Sequence, residues 1–305
     1  RPRILILNNL EFDHGDIFRD LEDISRSFSH LLRIVPGNGF VLQNGDDSNL
    51  LKLPDAPWTQ VISVGLDQRN DLRIVNFEEY RTGSRFDLVW RDGSTRQVES
   101  GMCGLFNARN LAMSVMASSL MYSIRNGKRD GLEHPMAVLP AIDFSKCSGV
   151  KRRQEILLDL ENLTVLSDFA HHPTAIEGAL ESLRARWPDR EIIACFEPRS
   201  NTAVTNVFQE RFAQSLALAD HVLIGEVHRA ERLSKDERID TGFIQSYIEK
   251  KGKTAVVFQT NQELSNYLTK KLRIESKARK LIVFFSNGSF GGAMQEAVKF
   301  FKSHF

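Results

Sequence analysis

Alternation in the second half of the chain constrains its fold more than any other feature. "EILLDLENLTVLSDF" reads as two strands around a Glu161-Asn162 turn. Helix Thr174–Trp187, strand Glu191–Phe196, helix Val204–Ala219, strand His221–Val227, helix Asp240–Lys251, strand Thr254–Phe258, helix Asn261–Leu272, strand Lys280–Ser286 and helix Gly291–Ser303 follow in turn. Strands that alternate with helices of this length predict βαβ units and a mostly parallel sheet. Such sheets place ligands outside the carboxyl ends of their strands. Three polar loops fall there: "SDFAHHP", "EPRSNT" and "SNGSFGG".

The first half is mixed. "RILIL" predicts a buried strand, and Asp13–Val35 carries apolar residues at helical spacing (Ile17, Phe18, Leu21, Ile24, Phe28, Leu31, Leu32). "QVISVG", "LRIVNFEEY", "RFDLVWR" and "TRQVES" predict strands, the last two joined by an Asp-Gly hairpin turn. Asn107–Ile124 predicts an Ala- and Met-rich helix, and "NGKRDGLEHPMAVLP" predicts a break, a short helix and a connection. A domain boundary is expected near Ser148, giving domains at residues 1–148 and 149–305. The abrupt opening on a strand at Arg1 is read as a start inside a domain.

Composition narrows the function classes. A net charge of +1 gives no field that draws the chain to nucleic acid or an acidic membrane surface, and no apolar run reaches the roughly 18 residues of a membrane span. Neither partner is expected. The three cysteines are scattered and odd in number, which argues against a disulfide framework and favours a reducing cytoplasm.

Each candidate motif has a chemical and a plain reading. In "NNLEFDHGD", Glu11, Asp13 and His14 follow the first strand, where oxygens and an imidazole hold a cation, or where Asp13 caps the next helix. Asn107 and Asn110 offer carboxamides that match an adenine edge, or Asn107 is an N-cap. Lys151, Arg152 and Arg153 form a basic group that reaches a phosphoryl group on domain closure, or a solvated surface. In "SDFAHHP", Pro173 suits the first helical position, which makes His172 the formal cap. Asp168, His171 and His172 also suit a metal-dependent hydrolase, with the distant Glu226 or His228 as a further ligand. In "EPRSNT", Arg199, Ser200, Asn201 and Thr202 sit between a strand and a helix start, where an anion is favoured or Ser200 or Asn201 caps. "SNGSFGG" lacks the form of a phosphate-binding loop. Gly252-Lys253-Thr254 has no glycine five residues before its lysine and runs from helix to strand, so no Walker-type loop is present.

Taken in order, "NNLEFDH", "NARN", "GVKRRQE", "DFAHHPTAI", "EPRSNT" and "SNGSFGG" resemble the motifs of the Mur ligase family, the ATP-dependent amide ligases of peptidoglycan assembly. The resemblance covers nearly the whole chain and is weaker between Gly45 and Ser100. It implies the later part of a central ATPase-type domain followed by a C-terminal Rossmann-like, mostly parallel α/β domain. The UDP-sugar domain and the phosphate-binding loop lie elsewhere in that family's enzymes, so the chain alone is expected to be inactive without the missing N-terminal part. The implied reaction joins UDP-N-acetylmuramate to the recycled tripeptide L-Ala-γ-D-Glu-meso-diaminopimelate through an acyl phosphate, with ATP and Mg2+. Within the family the alternative is L-alanine as the amine, and outside it a metal-dependent hydrolase or a non-catalytic ligand-binding module. By the same resemblance His14 ligates magnesium, Asn107 and Asn110 face adenine, and Arg153 approaches the terminal phosphate. Phe106 stands where relatives often carry histidine. Asp168 contacts the ribose or positions the closed domain, and His171 and His172 line the cleft. Arg199, Ser200 and Asn201 bind the peptide carboxylates, with Asn287, Gly288 and their loop alongside.

Overall fold

The most apolar runs of the second half become strands that bury both faces under covering helices, whereas several strands of the first half alternate and bury one face. The computed structural model describes residues 1–127, 144–147, 149–270 and 278–304. The short helix expected within "NGKRDGLEHPMAVLP" lies outside the described residues, as does Ser148. The chain divides into two units, Arg1–Ser148 and Gly149–Phe305. Among the described residues no helix is long and apolar enough to cross a membrane.

In the first unit the strands are β1 (Ile4–Leu7), β2 (Phe40–Asn44), β3 (Gln60–Gly65), β4 (Leu72–Tyr80), β5 (Gly83–Trp90) and β6 (Thr95–Ser100), and the sheet keeps that order. β1 to β4 pair in parallel, and β4-β5-β6 is an antiparallel meander closed by the Asp92-Gly93 turn. Helix α1 (Leu21–Arg33) packs Ile24 and Leu32 on Leu5, Leu7 and Val41. Helix α2 (Leu105–Arg125) packs Ala108, Ala112, Met116 and Leu120 against Leu42, Ile62, Val64 and Phe86.

Two expectations for this unit change. Strand β2, "FVLQN", was not anticipated; it is only five residues long and ends in two amides, so it shows little strand pattern. Helix α1 starts at Leu21 rather than near Asp13, because Asp20 caps it by accepting from Asp23 N. Asp13 instead accepts from its neighbour's His14 N at 2.8 Å, and His14 adopts φ 56° in a turn whose carbonyl accepts from Ile17 N and Phe18 N. Ile17 is consequently 70% exposed and outside the helix's apolar face.

The second unit contains β7 (Glu155–Asp159), β8 (Leu163–Asp168), α3 (Pro173–Arg186), β9 (Glu191–Phe196), α4 (Gln209–Leu216), β10 (His221–Ile224), α5 (Thr241–Lys250), β11 (Thr254–Val257), α6 (Asn261–Lys270), β12 (Lys280–Phe285) and α7 (Ala293–His304). The strand order is β11-β10-β9-β12-β8-β7, parallel throughout except for β7. Side chains alternate between two cores. Leu281, Val283 and Phe285 of β12 join α3, α4 and α5, whereas Ile282 and Phe284 join α6 and α7. β12 returns last and inserts between β8 and β9. That insertion brings the ends of "SDFAHHP", "EPRSNT" and "SNGSFGG" side by side, since the three loops follow three adjacent parallel strands.

Candidate functional site

The loops at the carboxyl ends of β8, β9 and β12 build a polar cluster on buried acids. Asp168 is the last residue of β8 and only 3% exposed. Its Oδ1 accepts from Ala170 N at 2.7 Å and its Oδ2 from Gln154 N at 2.9 Å. Burial pushes its carboxyl above the usual range, against the pull of those two N–H groups and of the Arg153 and Arg152 charges. Asp168 is therefore an internal anchor of the 152–154 turn. Each of its oxygens accepts one backbone N–H and keeps a further lone pair, so the ribose contact or closed-domain role implied by the resemblance is compatible with this anchoring.

That turn is unusual. Arg152 and Gln154 both adopt positive φ (61° and 52°), a region costly for residues with a Cβ, and Phe169 N and Asp168 hold them there. Arg152 Nη2 donates to Ser286 O at 2.6 Å and to Gly288 O, so its guanidinium ties the turn to the loop after β12. Arg153, the arginine expected to meet phosphate, lies over the Phe169 ring at 5.4 Å, with Arg152 also over that ring at 4.9 Å.

The two histidines diverge. His171 Nδ1 bonds Phe169 O at 3.0 Å and its ring meets Phe169 edge-on at 5.5 Å. His172 caps α3 by position, with Pro173 at the first turn, and its ring meets Phe208 at 4.9 Å. Among the described residues no group of three or more His, Cys, Asp or Glu side chains stands close enough to hold a metal ion. Asp168, His171 and His172 thus do not assemble the three-ligand set that a zinc hydrolase requires.

Arg199 follows β9 and keeps a side-chain exposure of 34%. Its Nη1 lies 3.4 Å from His228 Nδ1 and 3.7 Å from Glu197 Oε1. Burial depresses the His228 pKa, and the Arg199 and Arg229 charges depress it further, which suits a neutral ring whose Nδ1 accepts from Arg199. The Arg199 side chain lies over Gly288, where a Cβ would stand 2.3 Å from Cδ and 2.4 Å from Nε. Ser200 Oγ accepts from Ala203 N at 3.0 Å within a turn and caps no helix, because the helix expected from Val204 begins only at Gln209; Asn201 is exposed beside it. The Asn287 Oδ1 atom is buried without a hydrogen-bond partner.

Sequence reasoning read "EPRSNT" for its cation and missed Glu197, which is 2% exposed. It also missed Asn261 and Ser286, which bond to Glu197. An acid directly after an apolar strand was the available signal; its partners, 64 and 89 residues away, were not readable.

In the first unit, carboxamides gather at the carboxyl end of β1. Asn8 Nδ2 donates to Asn110 Oδ1 at 2.7 Å, and Asn107 Nδ2 donates to Cys103 O at 2.7 Å. Asn107 is not the N-cap; Gly104, at φ 91°, precedes the helix and donates its N–H to Glu79 Oε1 at 2.6 Å. Asp46, after β2, accepts from Leu66 N, Asp67 N and Arg109 Nη2 at 2.7, 3.0 and 3.0 Å. His14 is exposed on the loop that carries Glu11 and Asp13. Magnesium keeps most of its ligands as water and phosphate and takes one or two carboxylates from protein, and Glu11 and Asp13 are the carboxylates this loop carries.

Comparison with known proteins identifies the family of both units. A family model described as the Mur ligase middle domain matches residues 1–118, and one described as the Mur ligase, glutamate ligase domain matches residues 152–288. The chain is 34% identical over 229 residues to the UDP-N-acetylmuramate–L-alanyl-γ-D-glutamyl-meso-2,6-diaminoheptandioate ligase of Escherichia coli, covering 73% of this chain and 46% of that protein. It is 28% identical over 271 residues to the UDP-N-acetylmuramate–L-alanine ligase of Desulfitobacterium hafniense, covering 89% and 57%. The chain thus spans about half the length of these curated relatives. Among solved structures, a murein peptide ligase from Psychrobacter arcticus superposes with a TM-score of 0.59 at 27% identity, covering 98% of this chain and 57% of that one. The UDP-N-acetylmuramate–alanine ligase of Thermotoga maritima shares the fold at a TM-score of 0.70 and 20% identity, covering 100% and 60%. With both units matched in order, the chain belongs to the Mur ligase family, whose members are ATP-dependent amide-forming ligases.

Proposed function

We propose that this chain carries the nucleotide-facing and peptide-binding parts of a ligase that joins UDP-N-acetylmuramate to L-Ala-γ-D-Glu-meso-diaminopimelate, at the expense of ATP with Mg2+. The observation that carries the reading is the convergence of three adjacent strand ends around Arg199, a partly open cation seated over Gly288. A guanidinium so placed favours a substrate bearing carboxylates. The tripeptide has several, and the Escherichia coli relative is named for it. Residues 1–148 and 149–305 act as the later central domain and the peptide-binding domain.

In this reading Asn107 and Asn110 face adenine, His14 takes magnesium, and Arg153 serves the terminal phosphate. ATP supplies the phosphoryl group that activates the muramoyl carboxylate. The chain's own residues orient the amine-bearing peptide, with Arg199, Ser200, Asn201 and the Asn287-Gly288 turn on its carboxylates. His171 and His172 line the approach to that site. The chain carries no Walker-type loop, so turnover is tested in the intact ligase and peptide binding on the chain itself.

A second reading, with L-alanine as the amine, draws on the Desulfitobacterium hafniense relative. Rates with UDP-N-acetylmuramate, ATP, Mg2+ and either amine separate the two. A higher kcat/KM for the tripeptide supports the proposal, the reverse order favours the alanine reading, and no amide product with either amine sinks both.

A further inference from the structure

Glu197 sits between the loops that follow β9 and β12 and belongs to none of the roles assigned above. It follows β9 directly, is 2% exposed, and its N–H donates to Phe285 O at 3.1 Å. Oε1 accepts from Asn261 Nδ2 at 2.9 Å and lies 3.7 Å from Arg199 Nη1. Oε2 accepts from Ser286 Oγ and from Phe290 N at 3.3 Å. Ser286 Oγ in turn accepts from Gly288 N at 2.7 Å. A single buried carboxylate therefore fixes the cation, through Arg199, and the floor on which it lies, through Ser286 and Gly288. A buried charge costs several kcal/mol unless its neighbours satisfy it, and a hydrophobic residue would fill the volume at less cost. Its placement between Arg199 and the loop after β12 points to orientation rather than packing.

We propose that Glu197 is the positioning residue of the peptide-carboxylate site: it sets the direction of the Arg199 guanidinium and the height of the Ser286–Gly288 loop beneath it. The inference rests on the proposed peptide-binding role of Arg199. Glu197 touches no substrate itself, so its effect runs through Arg199 and is confined to the amine-bearing substrate.

The test is a double-variant cycle in the intact ligase with UDP-N-acetylmuramate, ATP, Mg2+ and the tripeptide. Glu197→Gln keeps the shape and removes the charge. It is expected to raise the tripeptide KM about tenfold while the ATP KM stays within about twofold, and to add less than about twofold in an Arg199→Ala background. Equal rises in both KM values, or independent multiplication of the two effects, would overturn the positioning role and leave Glu197 a structural acid. An unchanged tripeptide KM in Glu197→Gln, with Arg199→Ala still impaired, sinks the inference alone. An unchanged KM and rate in Arg199→Ala sinks the carboxylate reading beneath it. Ser286→Ala leaves the carboxylate in place and removes one link. It decides the matter if Glu197→Gln does not fold: a raised tripeptide KM that disappears in the Arg199→Ala background supports the role, and an unchanged KM overturns it.

Discussion

Asp46 and Asp168 both stand at the carboxyl end of a parallel strand, one in each unit, and their surroundings drive them in opposite directions. Burial raises the Asp46 carboxyl, but Asp67 N, Leu66 N and the Arg109 guanidinium together outweigh it and leave it below its usual range. Asp168 accepts two backbone N–H bonds as well, yet burial dominates and leaves its carboxyl raised. The first unit puts its site-side polar groups at an accessible edge, with Asn107 and Asn110 in a carboxamide chain on the helix surface. The second sinks its acids beneath the loops and exposes a cation above them. Strand-end position alone thus says little about what an acid does; the number and charge of the donors it meets, set against its loss of water, decide it.

The contrast breaks first in the core. Phe285 is fully buried at the end of β12, directly under the site, and Phe285→Ala should cost about 3–5 kcal/mol, read as lost hydrogen-exchange protection across β8, β9 and β12. Protection lost equally in the first unit would mean the two units do not hold their sites separately. Next, Arg199→Ala in the intact ligase should weaken tripeptide use by about 2–5 kcal/mol, measured as kcat/KM. Asp168→Asn should destabilise by about 1–3 kcal/mol, because a carboxamide has one acceptor oxygen for two buried N–H groups. A neutral result in denaturant titration would remove its anchoring role.

Acid sharpens the comparison. A lowered folded pKa means that Asp46 contributes stability present above the unfolded carboxylate value of 3.8 and lost as pH falls through the lower folded value. Asp168 has the opposite sign: its contribution is full below that unfolded value and is lost as pH rises through the raised folded value. Asp46→Asn should therefore flatten the acid limb of a stability–pH curve, and an unchanged limb would contradict the assignment. The smallest effect belongs to Asn110→Ala, whose exposed carboxamide should change stability by no more than about 0.5 kcal/mol.

Much of this was legible in the chain itself, for physical reasons that differ by region. The second unit's inner strands β8, β9, β10 and β12 are buried on both faces, so they read as apolar runs, and helices that must cover them read at their own period. His172 and Pro173 announced the start of α3, and Asp92-Gly93 the hairpin. Strand β2 stayed hidden because two of its five residues are amides. The start of α1 was misplaced because Ile17 and Phe18 have helical spacing but belong to the turn held by His14. In the site, the motif residues Arg199, Asn287 and Gly288 were named from the sequence, whereas Glu197 was not. A cation advertises its chemistry by type, but a buried acid's role depends on partners that only the insertion of β12 between β8 and β9 brings within reach.

The central claim is that the ends of β8, β9 and β12 form one carboxylate-binding peptide site. Titration of the 305-residue chain with L-Ala-γ-D-Glu-meso-diaminopimelate, followed by backbone amide chemical shifts, tests it most directly. Saturable shifts confined to the loops that follow Asp168, Phe196 and Phe285 are expected, with Gly288 and Arg199 among the largest. Shifts clustered in the first unit, or none at millimolar peptide, would contradict it.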